Sequence, residues 1–136
     1  MTTTLTPGQL SELKLVAKRA AAHAYCDYSQ FPVGAAVRTT NGQVFAGCNV
    51  ENVSFGLTNC AERTAIFSAV TEGFRRGQLQ AIVLYVPGEK LYSPCGACRQ
   101  VIAEFFHQDA EIIATSDATA DRRWTIAELL PAGFSF

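Results

Sequence analysis

Histidine is almost missing from this chain. His23 and His107 are the only two among 136 residues, and neither stands at a ligand spacing from another metal-binding side chain. Both default to satisfied surface or core positions. Basic residues are no more abundant than acidic ones, 11 against 12, for a formal net charge of -1. Binding to nucleic-acid phosphates or an anionic membrane draws on clustered Lys and Arg, so no nucleic-acid or membrane partner is expected and the substrate should be small. Long hydrophobic runs are lacking too: the longest, Ala81-Ile82-Val83-Leu84-Tyr85-Val86, falls far short of the roughly 20 apolar residues that a membrane-spanning helix needs. Met1-Thr2-Thr3-Thr4 has neither the basic start nor the apolar stretch of a signal peptide, so a cytoplasmic protein is expected. Five cysteines, an odd number in a chain of this size, argue against a disulfide framework and for reduced thiols. Repeats, low-complexity tracts and linkers are absent. The length prior and a 49% hydrophobic content predict one domain over residues 1–136 with one well-buried core.

What is present reads as one alternating series of elements. Thr6-Pro7 has the form of an N-cap followed by proline at the first helical position, and Leu10, Leu13, Ala17, Ala20 and Ala24 recur at helical spacing. Residues 33–39 and 44–49 flank Asn41-Gly42, a dipeptide suited to the two positive φ angles of a type I′ hairpin turn. A helix is predicted over 60–72, ended by Gly73, then a buried strand over 82–86, a helix over 94–106 and a strand over 112–115. Residues 122–125 predict a last edge strand. Thr125-Ile126-Ala127-Glu128 is a capping-box pattern for a short helix through Leu130, stopped by Pro131. The order α-β-β-α-β-α-β predicts an α/β fold, a mixed sheet of about five strands covered by helices on both faces.

Three of the cysteines form a split pattern. Cys60-Ala61-Glu62 opens one predicted helix, and Ser93-Pro94-Cys95-Gly96-Ala97-Cys98-Arg99-Gln100 opens another. A structural zinc normally takes four protein ligands, whereas a catalytic zinc takes three and leaves a position for water. Three thiols beside a carboxylate therefore read as a Zn2+ site with an open fourth position. The positive end of a helix dipole stabilises the thiolates that such a site requires. Three thiolates still leave the complex at about -1, so Arg63 and Arg99, each following a cysteine segment, are candidate donors to the sulfurs. Glu62 taken alone reads as a capping box with Asn59 at N-cap; beside a metal cysteine it reads as a proton carrier. Cys48 can complete a four-cysteine structural site or act as a small buried hydrophobe, and Cys26 reads as packing.

The cysteine-x-glutamate triplet followed by P-C-x-x-C resembles the signature of zinc deaminases that act on cytosine and adenine. The chain resembles the zinc-dependent cytidine deaminases of the small homotetrameric type, from the first helix to Phe134. The resemblance implies a three-layer α/β/α sandwich, one zinc ion per subunit, and a homotetramer whose sites are completed by neighbouring subunits. It implies hydrolytic deamination of cytidine and 2′-deoxycytidine in pyrimidine salvage, with Glu62 carrying the proton between water, N3 of cytosine and the departing ammonia. Arg63 then takes the role of drawing charge from the sulfurs. Tyr28-Ser29-Gln30-Phe31-Pro32-Val33-Gly34-Ala35-Ala36 resembles the family stretch whose phenylalanine packs on the pyrimidine, which assigns Phe31; composition alone would put Phe31 in the core. Gly47-Cys48-Asn49-Val50-Glu51-Asn52 resembles the nucleoside-binding run, with Asn49 and Glu51 on the ribose 3′-hydroxyl. On a strand these two side chains would share a face. Ala61 is implied to offer backbone contacts to the base carbonyl, and Phe134 to reach a neighbour's site. Phe55 stands where many relatives carry tyrosine.

Other readings stay open at this level. The blasticidin S deaminases share a cysteine version of the zinc motif, although Phe31 and the Asn49/Glu51 run favour a nucleoside enzyme. An editing deaminase would need a basic groove and stacking aromatics. A zinc-stabilised binding module without enzymatic activity would need neither Glu62 nor an open coordination position.

Overall fold

The computed structural model describes residues 4–136. Its first helix, α1 (Pro7–Ala21), opens as the sequence predicts: the Thr6 hydroxyl accepts from the Gln9 N–H while the Gln9 side chain accepts from the Thr6 N–H, with Pro7 behind the cap. The strands β1 (Gly34–Thr39) and β2 (Val44–Cys48) pair antiparallel. Their turn differs from expectation. Gly42 has φ of 91°, but Asn41 does not join it in the positive region, because Gln30 is the only non-glycine with positive φ among the described residues. Gly42 N–H donates to the Thr39 carbonyl at 3.0 Å and Thr39 N–H to the Gln43 carbonyl at 2.8 Å. A type I turn closed by a left-handed glycine, the three-residue hairpin form, thus replaces the two-residue type I′ turn.

After a short 3-10 turn at Phe55–Leu57 come α2 (Ala61–Thr71), β3 (Leu79–Tyr85), α3 (Gly96–Phe105), β4 (Phe106–Thr115), β5 (Arg122–Trp124) and α4 (Ile126–Leu129). Gly73, at φ 105°, ends the second helix as predicted. β3 and β4 begin earlier than the sequence suggested, and the third helix runs directly into β4. The sheet order is β2-β1-β3-β4-β5, parallel only between β3 and β4. Strand alternation sorts the core into two layers. Ala35, Val37, Ile82, Leu84 and Ile112 face α2, α3 and α4, while Ala36, Ala81, Val83, Tyr85 and Ile113 face α1. The α/β/α sandwich with a mixed five-stranded sheet is therefore present. All seven residues of β3 are buried because both its faces are covered.

Two glycines set how closely the helices approach the sheet. A Cβ on Gly34 would lie 1.8 Å from the Ala17 carbonyl oxygen of α1. A Cβ on Gly47 would lie 2.6 Å from the Ala61 carbonyl oxygen and 2.4 Å from the Ala65 nitrogen. Only glycine at position 47 lets the first turn of α2 rest on the edge strand, and that turn carries Cys60 and Glu62. No helix among the described residues is long and apolar enough to cross a membrane.

Candidate active site

Both helices that carry the split cysteine pattern begin on a cysteine. Cys60 is the N-cap of α2 and Cys95 the N-cap of α3, and neither sulfur caps a backbone N–H of its helix. Each thiol is thus free to turn to the common space between the two helix starts. The sulfurs of Cys60, Cys95 and Cys98 lie within 4.8 Å of one another, and those of Cys60 and Cys95 are 3.8 Å apart. Sulfurs sharing one tetrahedral zinc at 2.3 Å should be about 3.8 Å apart. The donor set and its spacing therefore fit a zinc ion, and two helix N-termini favour the thiolates. Cys48 is not a member of this cluster; it is half-buried on β2, where burial pushes its thiol up. The four-cysteine reading finds no support in the geometry.

Cys60 is held toward its thiolate. Donation from the Cys98 thiol, then from Arg63, holds its pKa down to about 5 against the opposing effect of burial. Cys98, which gives that hydrogen bond and is itself buried, is raised. Arg63 Nη2 stands 3.3 Å from the Cys60 sulfur, as the need to spread thiolate charge suggested. Arg99 does something else. Its Nε donates to the Pro94 carbonyl at 2.7 Å, its Nη2 to the Ser93 hydroxyl at 2.9 Å and its Nη1 to the Leu129 carbonyl at 3.1 Å. With those donors committed to oxygen, Arg99 is not a sulfur donor, and the expectation that paired it with Arg63 is corrected.

Glu62 does not cap its helix. The N-cap is Cys60, which places Glu62 one position earlier than a capping box needs, and the Asn59 amide donates instead to the Thr64 hydroxyl at 3.0 Å. The capping reading is overturned. The Glu62 carboxyl is buried, 5% exposed, beside the sulfur cluster. Burial pushes it up to about 7, with the Cys60 thiolate adding to the shift and its own backbone N–H opposing it. A carboxyl poised near neutrality can both accept and return a proton. Ala61, at the first position of α2, presents a backbone N–H that the helix does not use.

Of the remaining predicted residues, Asn49 and Glu51 flank Val50, which is bridged to Asn59 just before α2. β2 ends at Cys48, so Asn49 and Glu51 lie beyond the strand and not on one of its faces; Val50 between them makes isolated bridges to Tyr25 and Asn59. Asn49 is buried, and its side chain spans a turn, accepting from Val33 N–H and donating to the Phe31 carbonyl, both at 2.9 Å. Glu51 accepts from the Tyr28 and Ser29 N–H groups and the Ser29 hydroxyl, and the hydroxyl is the leading cause of its lowered pKa. Phe31 is not core: it is 38% exposed and meets Tyr92 edge to face at 5.0 Å. Gln30, just before it, is held at φ 57° with its N–H on the Cys26 carbonyl. A non-glycine in the left-handed region costs about 1–3 kcal/mol and marks a turn fixed by its surroundings. Phe134 is 71% exposed and pairs with Phe136 at 5.2 Å. Sequence reasoning missed Ser29 and Thr58, which with Tyr28, Glu51 and Phe55 line a cleft of about 240 Å³. The missed signal was the Ser29 hydroxyl two residues before Phe31.

Comparison with known proteins agrees with the geometry. Residues 8–126 match the family model described as the cytidine and deoxycytidylate deaminase zinc-binding region. A cytidine deaminase of Sporosarcina psychrophila is 47% identical over 124 residues, 90% of each chain. The crystal structure of cytidine deaminase from Burkholderia pseudomallei superimposes with a TM-score of 0.88 at 45% identity, covering 96% of this chain and all of that one. A blasticidin-S deaminase of Bacillus cereus is more distant, 29% identical over 109 residues and 76% of each chain. With three sulfurs and a buried carboxyl converging at the two helix starts, the chain belongs to the cytidine and deoxycytidylate deaminase zinc-binding family.

Proposed function

We propose that this chain is a single-domain, zinc-dependent cytidine deaminase. It converts cytidine and 2′-deoxycytidine to uridine and 2′-deoxyuridine with release of ammonia, in cytoplasmic pyrimidine salvage. The observation that carries this reading is the buried Glu62 carboxyl at the edge of the three-sulfur cluster. A purely structural metal site has no use for a desolvated carboxyl at its edge.

Cys60, Cys95 and Cys98 would hold the metal, and zinc held there supplies Lewis-acid activation of the attacking water. Glu62 takes a proton from that water and delivers it to N3 of the base; it then takes the proton of the new C4 hydroxyl and passes it to the amino group as the C4–N bond breaks and ammonia leaves. The water oxygen becomes the new carbonyl at C4. Arg63 draws charge from the Cys60 sulfur. Phe31, fixed by Tyr92 and by the Asn49 amide, offers a ring face to the pyrimidine, and Ala61 offers its N–H to the base carbonyl. Asn49 keeps one N–H and one lone pair beyond its two turn contacts, and Glu51 keeps lone pairs beyond its three donors, enough for a sugar hydroxyl. A carboxylate beside the sugar favours nucleosides over nucleotides. Phe134, exposed with Phe136 at an apolar tail, suits a homotetramer in which it completes a neighbour's site.

The test is loss of cytidine absorbance with release of ammonia, before and after chelation of the metal, with CMP and a short cytosine-containing oligonucleotide as comparison substrates. Metal-dependent turnover of cytidine and slow turnover of the phosphorylated substrates are expected. Turnover unaffected by chelation that removes the metal, or equal rates on CMP, would overturn the reading. A variant truncated before Phe134 should bind substrate more weakly, and sedimentation should give a tetramer for the intact chain.

A further inference from the structure

Arg99 stands at the fourth position of α3, one residue after Cys98, and its guanidinium folds back over the helix start. Three different nitrogens reach three different oxygens. Two of these, the Pro94 carbonyl at 2.7 Å and the Ser93 hydroxyl at 2.9 Å, belong to the turn that delivers the Cys95 sulfur. The third, at 3.1 Å, is the carbonyl of Leu129, the last residue of α4. That carbonyl is one that a four-residue helix leaves without an internal partner and that carries the negative end of its dipole. The Arg99 backbone N–H, meanwhile, donates to the Cys95 carbonyl at 3.0 Å. Pro94 is buried, Cys95 is exposed, and Leu129 is buried in the core beside Ile102 of α3. Cys95 thus sits exposed at a helix start whose approach, Ser93-Pro94, is tethered by Arg99 from inside the same helix.

Resting on the zinc reading given above, we propose that Arg99 is a positioning residue that couples the turn of Cys95 to the C-terminal segment following α4. The planar fork of a guanidinium can address three acceptors in fixed directions, which a lysine ammonium on a flexible stem cannot reproduce. Seating a metal on Cys95 orders the 93–95 turn. Through the Arg99 nitrogens that ordering reaches the Leu129 carbonyl, and Leu129 leads within a few residues to Phe134. In the reverse direction, docking of the tail steadies the turn that presents one of the three sulfurs. Substitution of groups that orient metal ligands typically costs roughly 10–100-fold in metal affinity.

The experiment compares wild type, Arg99→Lys and Ser93→Ala as purified holoproteins and after chelation. Zinc affinity is measured by competition with a chromophoric chelator, and backbone hydrogen exchange is followed in residues 93–98 and 130–133. For Arg99→Lys, with its fold verified by circular dichroism, zinc affinity should fall about 10–100-fold; Ser93→Ala, which removes one acceptor, should fall less. In wild type, zinc should slow exchange in both segments, and in Arg99→Lys the slowing in 130–133 should be lost while that in 93–98 is reduced. Undiminished zinc affinity in Arg99→Lys, or wild-type exchange in 130–133 that is indifferent to zinc, overturns the coupling. Failure of wild type to bind zinc at all would instead overturn the deaminase reading itself, so the two failures are distinguishable.

Discussion

Arg63 reaches back one turn of its own helix to donate from Nη2 to the Cys60 sulfur at 3.3 Å. The contact adds to the Cys98 donation that lowers the Cys60 pKa, and it spreads charge that three thiolates would otherwise concentrate. Arg63→Gln keeps a shorter donor without the charge. It should retain the fold and lose zinc affinity by roughly 10–100-fold, read by chelator competition at constant pH. Affinity equal to wild type would show that the helix N-termini alone suffice.

Glu62→Gln should separate proton transfer from metal binding. The amide fits the same buried space but cannot shuttle a proton, so turnover should fall about 10²–10⁴-fold while zinc stoichiometry holds. Near-normal turnover in a zinc-replete variant would remove Glu62 from the reaction.

The cysteines should sort into two groups. Cys60→Ala, Cys95→Ala and Cys98→Ala each remove a member of the sulfur cluster and should deplete zinc and activity together. Cys48→Ala should keep one zinc per chain, with only the small loss that comes from trimming a half-buried side chain on β2. Elemental analysis decides, and an empty Cys48→Ala protein would reinstate the four-cysteine site.

Glycine substitutions should diverge by position. Gly34→Ala puts a Cβ against the α1 backbone at 1.8 Å and should destabilise by about 1–3 kcal/mol or more, because backbone on both sides must move. Gly8→Ala lies within α1 with nothing within 4 Å of the new atom, and should stabilise by up to about 1 kcal/mol. Urea midpoints measure both; equal shifts would contradict the close approach of α1 to the sheet.

Acid stability should report on Asp117. The Tyr85 hydroxyl, then the Gly88 N–H and Lys18, hold its carboxyl below its ordinary value. A folded pKa below the unfolded value of about 3.9 stabilises the fold above that pH, and the contribution is lost as pH falls through the folded pKa. Melting curves of wild type and Asp117→Asn should therefore converge below about pH 4. A gap of constant size from pH 3 to 7 would show that the charge is not responsible.

Much of this protein follows from local order in the chain. Thr6-Pro7 and Thr125 through Glu128 cap their helices as written, because a cap depends on residues within one turn of each other. Alternation along β1, β3 and β4 encodes which side chains face α1 and which face the other helices. The three cysteines and Glu62 were legible because metal chemistry restricts residue type and spacing together. Tertiary structure decided where local patterns compete. Asn59 and Glu62 satisfy the spacing of a capping box, yet the packing of α2 on Gly47 starts the helix at Ala61 and leaves Glu62 to the sulfur cluster. Arg99 follows Cys98 as Arg63 follows Glu62, but only the folded arrangement brings the Leu129 carbonyl, 30 residues away, within its reach. Asn49 and Glu51 looked like strand neighbours until the ladder ended at Cys48 and long-range partners at Phe31, Val33 and Ser29 claimed their side chains. A hydrogen-bonding side chain takes the best donor or acceptor in space, and sequence spacing identifies that partner only when it lies within a turn.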